Sequence, residues 1–128
     1  MLGRYKIYRG KRPSGHAWPD GVRQDSRKHT RHCLRPGADM VTEYLDDPSD
    51  AGWKHFSKAY KQLVSSRFAE DCQPFDELAE LGRSNGVFLG CSCPTKKNPD
   101  PQRCHTAMAL EFMRAKYPDL PIDAQLVQ

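Results

Sequence analysis

The stretch Val87–His105 constrains this chain more than any other. It opens with the apolar run Val87-Phe88-Leu89-Gly90-Cys91, passes Ser92, Cys93 and Pro94, and enters a polar loop of Thr, Lys, Asn, Asp, Pro and Gln. It closes on Arg103-Cys104-His105, ahead of a helical apolar face. An apolar run without alternation is the pattern of a strand covered on both faces. Such a strand set between helical segments implies a buried, mostly parallel central sheet. Ligands of open α/β sheets gather beyond the C-terminal ends of the strands, where Cys91 and Cys93 fall. A helix starting at Cys104–His105 would favour anions through its N–H groups and dipole, and the same field lowers a thiol pKa.

The flanking sequence predicts about four helices around that small sheet. Arg4–Arg9 alternates, with Tyr5 and Ile7 on one face, and reads as a strand. From Gly10 to Gly37 no period persists and Pro and Gly recur, so this is a long irregular loop with a short strand near Val22. With few apolar anchors it should be mobile. Met40, Val41, Tyr44 and Leu45 make a helical face in Ala38–Asp46. Trp53, Phe56, Tyr60, Leu63 and Val64 form one continuous stripe, a core face capped at Ser49 or Asp50. Pro74 at a first turn, then Phe75, Leu78 and Ala79, gives a third helix. Asp100-Pro101 supplies cap and first-turn signals for a fourth, with Met108, Ala109, Phe112 and Met113 on its face. Leu120–Val127 adds an edge strand.

The chain is 128 residues long, the length of one α/β domain, with a basic strand and loop over 1–37 and a helix-and-strand body over 38–128. No apolar run approaches the ~20 residues of a membrane span. The start, Met-Leu-Gly-Arg-Tyr-Lys, lacks the apolar core of a signal peptide. These features predict a soluble cytoplasmic protein without a membrane partner. The net charge of +4 hides a split. Residues 1–37 carry ten Lys or Arg against two Asp, while the rest of the chain is acidic. The split suggests an anionic partner for the N-terminal part, unless these side chains merely solvate a long loop.

Five cysteines cannot all pair within one chain. In a reducing compartment they are metal ligands, reactive thiols or core residues, and the last reading suits Cys72. Cys91, Cys93, Cys104 and His105 are candidate ligands of a closed, structural zinc site, since residues two apart on a strand face the same side. Cys104 with His105 as base, beside Cys91, is the alternative constellation for thiol chemistry. Against a direct dyad, adjacent helical residues do not face each other. A small anionic or nucleotide-like ligand would meet Cys104, His105, Arg103, Arg27, Lys28 and Arg31. A nucleic-acid partner is the larger form of that reading, with Tyr5, Tyr8 and Trp18 as stacking residues. The residues leave open whether the chain is an enzyme and whether it associates with itself.

Three segments resemble the domain-of-unknown-function family 488, especially its short YeaO-like branch. Asp39–Leu45 resembles that branch's first helix, and Trp53-x-x-Phe56-x-x-x-Tyr60 its tryptophan-aromatic helix. Leu78-Ala79, Val87-Phe-Leu-Gly-Cys91 and Cys104-His105 resemble the wider family's strand ending in Cys and the Cys-His-Arg that opens its last helix. The likeness spans about residues 38–117, with a fainter echo at Trp18-Pro19-Asp20-Gly21. Thr106 stands where the family has arginine, and Cys93 and the loop before Cys104 are this chain's own. The resemblance implies an α/β fold and an enzyme-like site.

Overall fold

The computed structural model describes residues 1–128. Four strands, β1 (Leu2–Lys6), β2 (Val22–Asp25), β3 (Val87–Cys91) and β4 (Ile122–Val127), pair in the order β2-β3-β1-β4. Every pairing is parallel. Four helices accompany them: α1 (Ala38–Asp46), α2 (Asp50–Glu70), α3 (Gln73–Ser84) and α4 (His105–Lys116). This is the α/β architecture expected, with the sheet wholly parallel.

Strand alternation divides the central strands between two different faces. Leu2, Val87 and Leu89 join a core with Phe56, Tyr60 and Val64 of α2, Phe75 and Leu78 of α3, and Met108 and Met113 of α4. The other face carries Gly3, Tyr5, Phe88 and Gly90, all buried. There the cover is the segment after β1: Trp18 meets Tyr5 edge-on at 6.3 Å. The non-alternating run of β3 thus reflects burial on both faces, one beneath helices and one beneath a loop.

β1 lies earlier than the alternation of Arg4–Arg9 indicated. Its register is set by β3, from Leu2 opposite Val87 to Lys6 opposite Cys91. Ile7 adds one further backbone bond, to the Cys91 carbonyl at 2.8 Å.

α2 begins where Ser49 predicts. The Ser49 hydroxyl accepts from the Gly52 amide at 3.1 Å, a cap contributing about 1 kcal/mol. Its aromatic stripe continues inward as stacked rings, Trp53 on Phe56 at 5.4 Å and Phe56 on Tyr60 at 6.2 Å. The same helix holds the loop expected to be mobile. Tyr60 donates its hydroxyl to the Leu34 carbonyl at 2.6 Å, and Arg67 donates to the carbonyls of Cys33 and Arg35. Leu34 and Ser26 are fully buried. The anchors are Leu34, buried in the core, and polar side chains from α2, the latter invisible to hydropathy.

Two expectations are corrected. α4 starts at His105 with Cys104 as an extended N-cap, as the Cys104–His105 reading expected, but the Asp100-Pro101 cap signal is not used. Asp100 instead closes a turn, its carboxylate accepting from the Gln102 amide at 2.9 Å. Cys72 is exposed, not core, because it precedes α3 on the surface.

Candidate functional site

The C-terminal ends of β1 and β3 lie side by side, and the start of α4 packs against them. Cys91 ends β3, Cys93 follows two residues on, and the extended backbone of Cys104 carries its sulfur toward them. The three sulfurs lie within 4.8 Å of one another. Cys104 is buried, while Cys91 and Cys93 are half-buried. The peptide bond from Cys93 to Pro94 is cis.

The rest of the site fixes these thiols. Asn98, buried in the loop before Cys104, donates to the Arg103 carbonyl at 2.6 Å and to the Cys93 sulfur at 3.5 Å. It accepts from the Tyr44 hydroxyl at 2.9 Å. Thr106 donates to the Cys104 sulfur at 3.2 Å. Ser26 gives its proton to the Gly90 carbonyl at 3.0 Å, so its oxygen accepts from His105 Nε2–H, also at 3.0 Å. That leaves His105 Nδ1 as an acceptor, 4.0 Å from the Cys104 sulfur. The Cys-His pair expected to diverge on a helix does not, because Cys104 is the cap and not a helical residue.

The charge of the cluster is unequally shared. The neighbouring thiols of Cys104 and Cys91, with the Asn98 amide, hold the Cys93 pKa far below the usual thiol range. Cys91 is raised by its neighbour Cys104 first, then by Cys93 and by burial. Cys104, favoured by Cys91 but opposed by Cys93 and by burial, rises to about 11. Burial pushes His105 down to about 4, so the ring is neutral at neutral pH.

One charged side chain near the cluster went unnoticed in the sequence. Arg4 is 1% exposed. Its Nε donates to the Ala124 carbonyl at 2.8 Å, and Nη1 to the Pro101 carbonyl at 2.7 Å and to the Thr106 hydroxyl at 3.5 Å. Its Nη2 is buried with no hydrogen-bond partner. Burial lowers the Arg4 pKa, and the charges of Cys104, Cys91 and Cys93 oppose that shift. A lone arginine in an alternating strand reads as solvent-facing. Its one sequence signal is the even register it shares with the buried Leu2.

Above the sulfurs opens a cavity of about 310 Å³. It is lined by Cys91, Cys93, Cys104 and His105, by the aromatic rings of Tyr44, Trp53 and Phe56, and by the cations Arg27, Lys28 and Arg103. Arg27 is held by Asp25 through Nε at 3.0 Å and Nη2 at 2.8 Å, and its Nη1 reaches the Ser92 hydroxyl at 3.3 Å. Arg103 pairs with Asp50. Arg31 stands apart, lining a separate cleft with Arg35 and Arg67. The helix start itself is buried, with Cys104, His105 and Thr106 bonded internally, so an anion in the cavity would meet Lys28 and the carboxylate-paired Arg27 and Arg103 instead. His105 lies outside the group formed by the three sulfurs.

Residues 14–117 match the model of a protein family described as the active DUF488-N3 subclade. The match begins well before residue 38 and takes in the loop that carries Trp18 and Ser26. Neither a curated protein nor a solved structure matches the chain.

Proposed function

The chain belongs to the DUF488 family, and from that premise we propose that its cavity binds a small anionic, nucleotide-like ligand. The carrying observation is one cavity lined both by aromatic rings, Tyr44, Trp53 and Phe56, and by cations, Arg27, Lys28 and Arg103. A flat ring stacks on such side chains with about 1–3 kcal/mol per ring. A guanidinium suits a phosphate or carboxylate, and Asp25 fixes that of Arg27 through Nε and Nη2, leaving the Nη1 side for a ligand. The volume lies near the lower end of ligand sites, roughly 300–1,000 Å³, and suits a mononucleotide. For turnover, the residues in reach are Cys104, with His105 Nδ1 beside its sulfur, and Cys91. This thiol chemistry needs a reducing setting such as the cytoplasm.

Calorimetric titration with adenosine monophosphate, adenosine and inorganic phosphate tests the reading. The monophosphate should bind more tightly than either fragment, and Trp53→Ala and Arg27→Ala should each weaken it about tenfold. No saturable binding of the monophosphate, or binding indifferent to both substitutions, would sink it. A nucleic-acid strand extends the same chemistry, supported by Trp18, which is 52% exposed with Arg12 and Arg23 against its ring. Strand binding would fall steeply with salt.

The convergence of three sulfurs favours a second reading, a zinc ion that stabilises the fold and supports an interaction role. Because such binding energy is folding energy, EDTA should then lower the melting temperature. Less than about 0.2 zinc per chain, with melting unchanged in EDTA, rules that reading out.

A further inference from the structure

We propose that the three thiolates of Cys91, Cys93 and Cys104 form an open metal centre, with Arg4 as its buried counter-charge and a fourth coordination position facing the cavity. The inference rests on the zinc reading above and adds the charge balance, the open position and the ligand that fills it.

Charge comes first. Three thiolates around a divalent cation leave one net negative charge. Only a positive group inside the same low-dielectric region can offset it without solvent. Arg4 is such a group, fully buried and linked to Cys104 through the Thr106 hydroxyl, at 3.5 Å on the arginine side and 3.2 Å on the sulfur side. Its Nη2 has no protein partner. A buried guanidinium left unpaired by the protein is costly, and a nearby anionic centre removes that cost. With the metal bound, cluster and arginine sum to neutrality.

Geometry supplies the open position. Sulfur ligands of zinc sit ~2.3 Å from the ion, so three sulfurs within 4.8 Å of each other can share one. His105 lies outside the sulfur group, its Nδ1 coming within 4.0 Å of the Cys104 sulfur alone, so the three cysteines are the ligands that converge. Asn98, bonded to Cys93, and Thr106, bonded to Cys104, are neutral outer partners that orient the thiolates. The three cysteines line the cavity, so the remaining position opens on the space offered to the anionic ligand. Three protein ligands with one exchangeable position is the pattern of reactive rather than structural zinc. The anionic group of the cavity ligand, or water in its absence, takes that position.

The test uses the full chain, expressed with zinc, purified without chelator and kept reduced with a phosphine. About one zinc per chain is expected. Cobalt exchanged into the protein should show sulfur-to-metal charge transfer and tetrahedral d–d bands. Cys91→Ser, Cys93→Ser and Cys104→Ser should each lose these bands, and Cys33→Ser and Cys72→Ser should keep them. His105→Gln should retain the metal. Azide and adenosine monophosphate should each shift the d–d bands. Arg4→Gln should weaken the metal by ~10–100-fold in competition with a chromophoric chelator, and Arg4→Lys by less. Absence of metal from the wild type overturns this inference and the zinc reading together. Metal lost in His105→Gln, or bands unmoved by both anions, overturns the open position while leaving a closed zinc site standing. Unchanged affinity in Arg4→Gln overturns the counter-charge. Should both Arg4 variants fail to fold, the azide response of the wild type still decides the open position.

Discussion

Asn98 holds the loop over the cysteines with one side chain. It bonds Tyr44, Arg103 and Cys93 and is 3% exposed. Asn98→Ala leaves the buried Tyr44 hydroxyl and the Arg103 carbonyl unsatisfied, so it should cost about 1–3 kcal/mol in urea unfolding. An unchanged midpoint would show that the loop is held by something else. His32 offers a pH test away from the cluster. Its Nε2 donates to Gln24 at 2.7 Å, its Nδ1 accepts from the Leu34 amide, and burial lowers its pKa to about 4. The unfolded ring binds a proton near 6.5, the folded ring only near 4, so the unfolded state holds more protons between those values. Stability is therefore full above pH 6.5 and declines as pH falls toward 4. His32→Gln should flatten the decline in unfolding midpoint between pH 7 and pH 5, and an unaltered slope would assign it to other groups. Neither Asn98 nor Arg4 was legible in the sequence. An asparagine in a polar loop and an arginine in a short strand carry no pattern that marks burial: Arg4 bonds residues some hundred positions away, and Asn98 is closed in by Tyr44 from α1.

The elements were legible where one period dominates. The aromatic stripe of α2 and the apolar run of β3 could be read directly, because burial of one stripe or of both strand faces leaves a periodic mark. The start of α4 at Cys104–His105 was legible too, whereas the local Asp100-Pro101 signal closes a turn ahead of it rather than capping it. Gly90 shows how tightly the elements meet beside the site. A Cβ there would fall 2.6 Å from Ile7 Cδ1 and 2.8 Å from the Tyr5 ring. Gly90→Ala should therefore destabilise by about 1–3 kcal/mol. Gly86→Ala, whose new carbon meets nothing closer than 3.5 Å, should be far milder in the same denaturation experiment. Equal effects would mean that the sheet relaxes freely and does not fix the end of β3.

Across the whole molecule, the basic surplus of the first 37 residues is divided rather than pooled. Arg27 and Lys28 line the cavity, Arg31 faces a second cleft, and Arg12 and Arg23 flank Trp18. The sequence showed the charge but not the division, which depends on how the loop is pinned by α2. No helix is long and apolar enough to cross a membrane. The division predicts that Arg27→Ala with Lys28→Ala weakens mononucleotide binding while Arg31→Ala leaves it within about twofold. Equal losses in calorimetry would point to a diffuse field instead of a site. The proposed anionic, ring-bearing ligand belongs in the cavity lined by Cys91, Cys93 and Cys104. In a crystal structure of the full chain grown with adenosine monophosphate, the ring is expected against Tyr44 and Trp53 and the phosphate at Arg27 and Arg103, and ligand density confined to the Arg31 cleft, or an empty cavity at saturating ligand, would refute that placement.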